Sequence, residues 1–87
     1  MWTISIARPA LKALDRVGRP ERERLRKAIN AMVDAPLTGD VVRLTNHSST
    51  FRRRVGSWRV FFDVFPDQRL LVVNEIVRRT TTTYRTR

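Results

Sequence analysis

The segment Phe51–Phe62 constrains the fold of this 87-residue chain more than any other stretch. At its centre, Gly56-Ser57 predicts a two-residue type II′ turn, which needs glycine at the first central position, and residues that favour strands flank it. Closing this turn places Arg54 opposite Arg59, and opposed residues in an antiparallel pair share a face. The segment therefore predicts a β-hairpin that gathers three arginines on one side: Arg52, Arg54 and Arg59.

The other side of this hairpin is predicted to face the core. It collects an apolar set that only Arg53 interrupts: Phe51, Val55, Trp58, Val60, Phe62 and Val64. On the arginine side, the like charges of Arg54 and Arg59 would destabilise the sheet. A bound anion is a natural reason to keep them there.

The charge of the whole chain favours the same kind of partner. Its formal net charge is +10, from eighteen basic residues against eight acidic ones, and only Lys12 and Lys27 are lysines. Arginine binds phosphate bidentately and stacks on bases, although high-GC codon usage would produce the same bias. Nucleic acid, an acidic protein or both are the partners that this charge predicts.

Composition also excludes several classes of site. The chain has no cysteine and a single histidine, which excludes disulfides and thiolate metal sites and argues against structural zinc. No cofactor or metal is expected. The N-terminus lacks the pattern of a signal peptide and no run approaches a membrane span, so we expect a soluble, cytoplasmic protein.

Hydrophobic periodicity predicts a strand and two helices before the hairpin. Residues alternate over Trp2–Ile6 as in a half-buried strand. A first helix has Pro9 in its first turn and Gly18 as its C-terminal cap, and a second runs from Pro20 to Ala35-Pro36. Their apolar stripes are Leu11, Leu14 and Val17, and Leu25, Ala28, Ile29 and Met32. A linker of two or three residues predicts an antiparallel helical hairpin packed on the sheet.

Two further strands complete the predicted sheet. Val41–Leu44 predicts a short strand, followed by the loop Thr45–Ser49, and Leu70–Val77 predicts a strand near the centre of the sheet because its apolar run indicates cover on both faces. The tail Thr80–Arg87 is expected to be a short extension. The predicted class is α+β, with a mainly antiparallel twisted sheet of four to five strands, and residues 1–87 are expected to form one domain.

The turn Pro66–Arg69 decides which C-terminal side chain joins the arginines. With an even number of loop residues, Arg59 faces Ile76 and Arg78 lies on its face, whereas an odd loop or a bulge would put Arg79 there. The same parity predicts Glu75 on the opposite face, as a partner for a helix arginine.

These features resemble the RelE/ParE superfamily of type II toxin–antitoxin toxins. The run Phe51–Phe62 is similar to the family's aromatic-Arg-x-Arg-Val-Gly-x-aromatic-Arg-Val core, and Arg78-Arg79 followed by Tyr84 resembles its C-terminal end. The resemblance implies the RelE-like fold. In the RelE-like branch, which we favour, it also implies a ribosome-dependent messenger RNA endoribonuclease that a cognate antitoxin neutralises.

The resemblance also implies residue roles. It matches functional positions of the family to Arg52, Arg54, Arg59, Arg78 and Tyr84. We predict catalysis by Arg54, Arg59, Arg78 and Tyr84, and RNA binding by Arg52, Arg54, Arg79 and Arg85. Thr50 departs from the pattern, since one well-studied type of member has a further lysine there. Arginines stabilise the phosphate charge that develops when a 2′-hydroxyl attacks, but they are poor proton carriers. Tyr84 near cations and His47 are the candidate acids or bases.

Partners and alternatives follow from the same reasoning. We expect a hetero-oligomeric complex with an antitoxin whose acidic or amphipathic segment covers the basic face, messenger RNA on the ribosome as substrate, and no membrane. The rival hypotheses are a ParE-like protein that inhibits DNA gyrase without nuclease activity, and an inactive relative that only binds nucleic acid or its partner. Codon preference, antitoxin identity and stoichiometry do not follow from the sequence.

Overall fold

A computed structural model describes residues 1–78, which form a five-stranded sheet with two helices packed on one face. The strands are β1 (Thr3–Ile6), β2 (Val41–Arg43), β3 (Phe51–Val55), β4 (Trp58–Phe65) and β5 (Leu70–Arg78), and the helices are α1 (Arg8–Arg16) and α2 (Arg19–Ala31). A short 3-10 turn, Pro66–Gln68, joins β4 to β5. The predicted α+β class, with a strand, a helical hairpin and then a sheet, is confirmed.

The strand order across the sheet is β1-β5-β4-β3-β2. β1 pairs with β5 in parallel, and the other three pairings are antiparallel. The β3–β4 register matches the prediction at every pair, with Val55 opposite Trp58 and Arg54 opposite Arg59. Gly56 has a φ of 59° and Ser57 stays at negative φ, the combination that a type II′ turn requires.

The core lies between the helices and one face of the sheet. Its fully buried members include Phe62 and Leu71 from the sheet and Leu25 from α2. The apolar face predicted for the β3–β4 hairpin all packs into this core or against it. Burying one such large side chain contributes about 1.5–3 kcal/mol to stability. Burial of this apolar set therefore determines which face of the sheet the helices cover and which face they leave uncovered.

Two details of the helical hairpin differ from expectation. Gly18 has a φ of −62° and is the N-cap of α2, so the predicted C-terminal glycine cap of the first helix is wrong. Val17 takes the C-cap position of α1 with an extended backbone, and its side chain is buried in the core. Leu11 is 48% exposed, and Ala10 fills the corresponding place in the core. A small alanine there lets α1 approach β5 closely.

Candidate nucleic-acid interface

Three arginines of the β3–β4 hairpin lie on the sheet face that the helices leave uncovered. The register sets Arg54 opposite Arg59, and alternation along β3 puts Arg52 on the same side. Arg54 is exposed, and the other two are half-buried. Their predicted placement on one face is confirmed. We call this surface, defined by Arg52, Arg54 and Arg59, the arginine face.

Ion pairs neutralise little of the positive charge of this face. Within residues 1–78, the one ion pair joins Arg54 Nε to Asp40 Oδ2 at 3.9 Å, with side chains 43% and 57% exposed. Water screens so exposed a pair, which therefore contributes little stability. Arg59 and Arg52 form no ion pair within that part of the chain. The mutual repulsion of Arg54 and Arg59 remains, and an anion bound between them would relieve it.

Arg53 belongs to the other side of the sheet and has a structural place there. Its Nη1 donates a hydrogen bond to the carbonyl oxygen of Ala28 in α2, at 3.2 Å. Its guanidinium lies against Gly39, which has a φ of 86°, and a Cβ built there would be 2.8 Å from the guanidinium carbon. The interruption that Arg53 makes in the apolar pattern is therefore a link between β3, α2 and the loop before β2.

A β-bulge changes the pairing between β4 and β5. Phe65 lies opposite Leu70, as predicted, but the register shifts between Phe61, which faces Glu75, and Phe62, which faces Val73. Asn74 is thus the extra residue on β5. Since a shift of one residue exchanges the two faces of a strand, every β5 residue beyond the bulge lies on the face opposite to that expected without one.

The bulge corrects two predicted positions. Arg59 faces Val77 instead of Ile76, and Arg78 lies opposite Trp58, on the side of the helices. The Arg78 guanidinium carbon is 5.5 Å from the centroid of the Trp58 ring, a cation–π geometry. Of the two arrangements predicted for β5, the structure has the one with a bulge, so Arg78 does not belong to the arginine face. Glu75 was expected on the far face, but it shares the face of Arg59.

A polar network around Asp63 fixes this part of the arginine face. Asp63 lies on β4 two residues beyond Phe61 and accepts hydrogen bonds from the Thr50 backbone N–H at 2.7 Å and from Asn74 Nδ2 at 2.8 Å. Asn74 Nδ2 also donates to Ser49 Oγ at 2.9 Å, and Ser49 is buried. The network ties β4, the bulge in β5 and the end of the β2–β3 loop together.

The environment of Asp63 keeps it ionised. Burial alone would raise the pKa of its carboxyl, but hydrogen bonds from Thr50 and Asn74, together with charge on His47, outweigh burial and hold the pKa below its ordinary value. One of its carboxylate oxygens accepts from Thr50 at the end of the β2–β3 loop, and the other accepts from Asn74 in β5.

His47 lies on the same sheet face, over Phe61. The two rings stack with centroids 4.7 Å apart and planes inclined by 11°. His47 Nδ1 accepts a hydrogen bond from the Ser49 backbone N–H at 2.9 Å, so the neutral ring carries its proton on Nε2. The ring is exposed, whereas Phe61 beneath it is only 9% exposed. The loop histidine whose position the sequence did not reveal is thus placed beside the arginines.

Several site residues predicted from the sequence lie outside the described residues 1–78: Arg79, Tyr84 and Arg85. Sequence reasoning missed Phe61 as a support for His47, and it missed the joint role of Ser49 and Asn74. Strand alternation could have predicted that Phe61 and Asp63 lie on the uncovered face, because both alternate with the core residues Val60 and Phe62.

Residues 1–78 contain neither a membrane-spanning helix nor a cluster of metal ligands. None of its helices has the length and apolar character needed to cross a membrane. In the same residues, no group of three or more histidine, cysteine or acidic side chains is arranged to hold a metal ion.

Solved structures of known proteins share the fold of this chain, although its sequence alone finds no relative. No protein-family model matches the sequence, and no curated protein matches it. The archaeal RelE–RelB complex from Pyrococcus horikoshii OT3 contains a similar chain, with a TM-score of 0.81, 19% identity, and coverage of 92% of this chain and 97% of that one. The isolated Escherichia coli RelE toxin is similar with a TM-score of 0.79, 16% identity, and coverage of 98% and 93%.

A third solved structure agrees with these two. The toxin–antitoxin complex RelBE2 from Mycobacterium tuberculosis has a chain with a TM-score of 0.79, 16% identity, and coverage of 90% of this chain and 98% of that one. Such low identity carries the fold and not the residues of a site. The resemblance to RelE-like toxins read from the hairpin motif is therefore confirmed for the fold.

Proposed function

We propose that this chain is the toxin of a type II toxin–antitoxin system and that it cleaves messenger RNA held on the ribosome. The observation that carries the proposal is the arginine face, three guanidinium groups that form a single exposed ion pair within residues 1–78, on a fold shared with RelE toxins. Such a face matches the phosphate oxygens of RNA in charge and in geometry.

The proposed chemistry is attack by a 2′-hydroxyl on its neighbouring phosphate. Negative charge develops on the phosphoryl oxygens, and Arg54 and Arg59, held opposite each other by the β3–β4 register, would stabilise it. Arg52, on the same strand as Arg54, would hold an adjacent phosphate. The hairpin register would fix the backbone positions of these arginines before substrate arrives, which favours catalysis by electrostatic preorganisation. Arg78 is not part of the proposed site, because it lies on the other side of the sheet.

Arginine does not transfer the protons that this reaction requires. His47 and Tyr84 are the proposed acid and base. His47 stands on the arginine face, and its neutral ring would present an N–H at Nε2. The role of Tyr84 and the RNA contacts of Arg79 and Arg85 remain predictions from the sequence.

The proposed protein partner is a cognate antitoxin. The similar chains from Pyrococcus horikoshii and Mycobacterium tuberculosis come from toxin–antitoxin complexes. This chain carries a net charge of +10, which complements an acidic segment. An antitoxin segment laid over the arginine face would relieve the repulsion between Arg54 and Arg59 and would compete with RNA. Binding of the antitoxin would thus silence the toxin.

Induced expression tests the proposal. We expect expression of the chain alone to stop growth and translation, and co-expression of the neighbouring antitoxin gene to restore both. Primer extension should then show breaks within the codons of translated messages. Intact messages together with DNA damage would contradict nuclease activity and would support inhibition of gyrase. Undisturbed growth would contradict the toxin assignment altogether.

A matched pair of double variants tests the site. Replacing Arg54 and Arg59 by alanine should reduce cleavage by at least about a hundredfold, the typical loss when a preorganised donor is removed. Replacing the exposed helix residues Arg16 and Arg19 by alanine lowers the net charge equally but leaves the arginine face intact. Equal cleavage by the two double variants would show that charge alone, and not this face, is responsible.

A further inference from the structure

His47 and Phe61 form a stacked pair on the face of the sheet that the helices leave uncovered. Phe61 points to the face that the helices leave uncovered, yet it is only 9% exposed because the imidazole covers it. One face of the imidazole rests on Phe61, while His47 as a whole is exposed. A flat aromatic surface is therefore presented beside the arginines.

The loop that carries this ring is held at several points. Leu44 N–H donates to the Thr50 carbonyl oxygen at 2.8 Å and closes the loop, and Thr50 N–H donates to Asp63 at 2.7 Å. Ser49 donates its N–H to His47 Nδ1 and accepts a hydrogen bond from Asn74. These contacts fix the imidazole before any ligand arrives. A preordered ring loses little conformational entropy when a ligand binds.

The surroundings of the ring are charged in an asymmetric way. Phe61 faces Arg52 across β3 and Glu75 across β5. Opposed residues have Cβ atoms about 4.5–5.5 Å apart, so both side chains flank the stack. Phosphate would be attracted toward Arg52 and repelled by Glu75. A cavity of about 450 Å³, lined in part by Ser48, Ser49 and Glu75, opens beside the loop.

From this arrangement we propose that His47, supported by Phe61, is a stacking platform for a nucleobase of single-stranded RNA. The base lies on the open face of the imidazole, and the phosphate of the same nucleotide is directed to Arg52. Stacking needs only a π-face, so the platform accepts any base. This proposal rests on the proposed function, because it takes RNA as the ligand, and it assigns His47 a binding role that is separate from proton transfer.

Binding of a strand that cannot be cleaved tests the platform. A short, fully 2′-O-methylated oligonucleotide with a fluorescent label is titrated with the full-length chain at low salt, where phosphate contacts are strongest. The variants are His47→Ala, His47→Leu and His47→Phe, with Thr45→Ala as the exposed control in the same loop. Leucine still covers Phe61 but lacks a π-face, whereas phenylalanine supplies both.

We expect His47→Leu and His47→Ala to weaken binding by about tenfold, the effect of one base stacked on one ring. His47→Phe and Thr45→Ala should bind like the native chain. An abasic oligonucleotide of the same length should bind the native chain and His47→Leu equally. Circular dichroism and thermal unfolding confirm that each variant is folded.

Three results would overturn the platform. The native chain fails to bind the methylated strand at low salt, or His47→Leu binds as tightly as the native chain, or the loss persists on the abasic strand. In the second case, a loss of antitoxin affinity in His47→Leu would assign the ring to the protein partner. Absence of message cleavage, with the stacking results intact, would contradict only the proposed nuclease function.

Discussion

Replacement of Asp63 by alanine tests the network that holds the arginine face together. The substitution removes the acceptor of the Thr50 N–H at 2.7 Å and of Asn74 Nδ2 at 2.8 Å. Hydrogen bonds to a charged group contribute about 1.5–3 kcal/mol, and an unpaired donor costs about 1–3 kcal/mol when buried. Both donors are only partly buried, so water satisfies part of the loss. We expect the free energy of unfolding to fall by about 2 kcal/mol.

A loss of this size is large for so short a chain. A domain of this length has a free energy of unfolding of about 4–13 kcal/mol, and 1 kcal/mol shifts its Tm by about 4–8 °C. Asp63→Ala should therefore lower Tm by about 8–16 °C. Urea unfolding followed by tryptophan fluorescence measures the change directly. Asp34→Ala removes an exposed carboxylate of equal charge and should stay within about 0.5 kcal/mol of the native chain.

The pH dependence of this difference distinguishes the charged network from simple packing. Because the folded-state pKa of Asp63 lies below its ordinary value, its ionisation contributes stability at pH values above the unfolded pKa of about 3.9. That contribution is lost as the pH falls through the lowered folded pKa. The gap between the native chain and Asp63→Ala should therefore shrink between about pH 5 and pH 2. A gap that is absent at pH 7, or that widens in acid, would refute the reasoning.

Three further substitutions test the framework of the sheet. Phe62→Ala removes a fully buried ring and should lower the free energy of unfolding in urea by about 3–5 kcal/mol; a loss below about 1 kcal/mol would contradict the core assignment. Gly56→Ala places a Cβ at a φ of 59° and 2.6 Å from Arg24 Nη1, and should lower Tm by several degrees in a calorimetric scan; an unchanged Tm would contradict the turn type. Arg78→Ala should leave message cleavage in the induced-expression assay near the native level and cost about 0.5–1 kcal/mol in urea, and a collapse of cleavage would restore Arg78 to the site.

The hairpin could be predicted residue by residue because its information is local. A glycine turn of two residues sets the register of β3 and β4, and the alternation of apolar side chains confirms which face is buried. Arg54 opposite Arg59 follows from those two facts alone. The helical stripe of Leu25, Ile29 and Met32 was predictable for the same reason, since burial has the period of the helix.

The bulge in β5 could not be predicted because nothing near Asn74 in the sequence requires it. Its causes are distant along the chain: Asn74 donates to Asp63 eleven residues away and to Ser49 twenty-five residues away. Parity reasoning carries only as far as the first such irregularity. The position of His47 was inaccessible for a related reason, since its stack on Phe61 depends on a loop that is fixed by the same network.

The arginines on the two sides of the sheet have different surroundings, and this difference is the strongest structural argument for a ligand. On the helix side, Arg53 donates to a helix carbonyl and Arg78 lies against an indole, so protein groups compensate each charge. On the open side, Arg54 and Arg59 oppose each other, while the nearby carboxylate of Asp63 is committed to holding the loop. The chain thus has an acid four residues beyond Arg59 on the same face, and this acid holds the loop instead of pairing with Arg59. The Asp63 carboxylate thus makes the loop rigid, while Arg54 and Arg59 still repel each other. An anion from outside the described residues would relieve that repulsion and make the arrangement favourable.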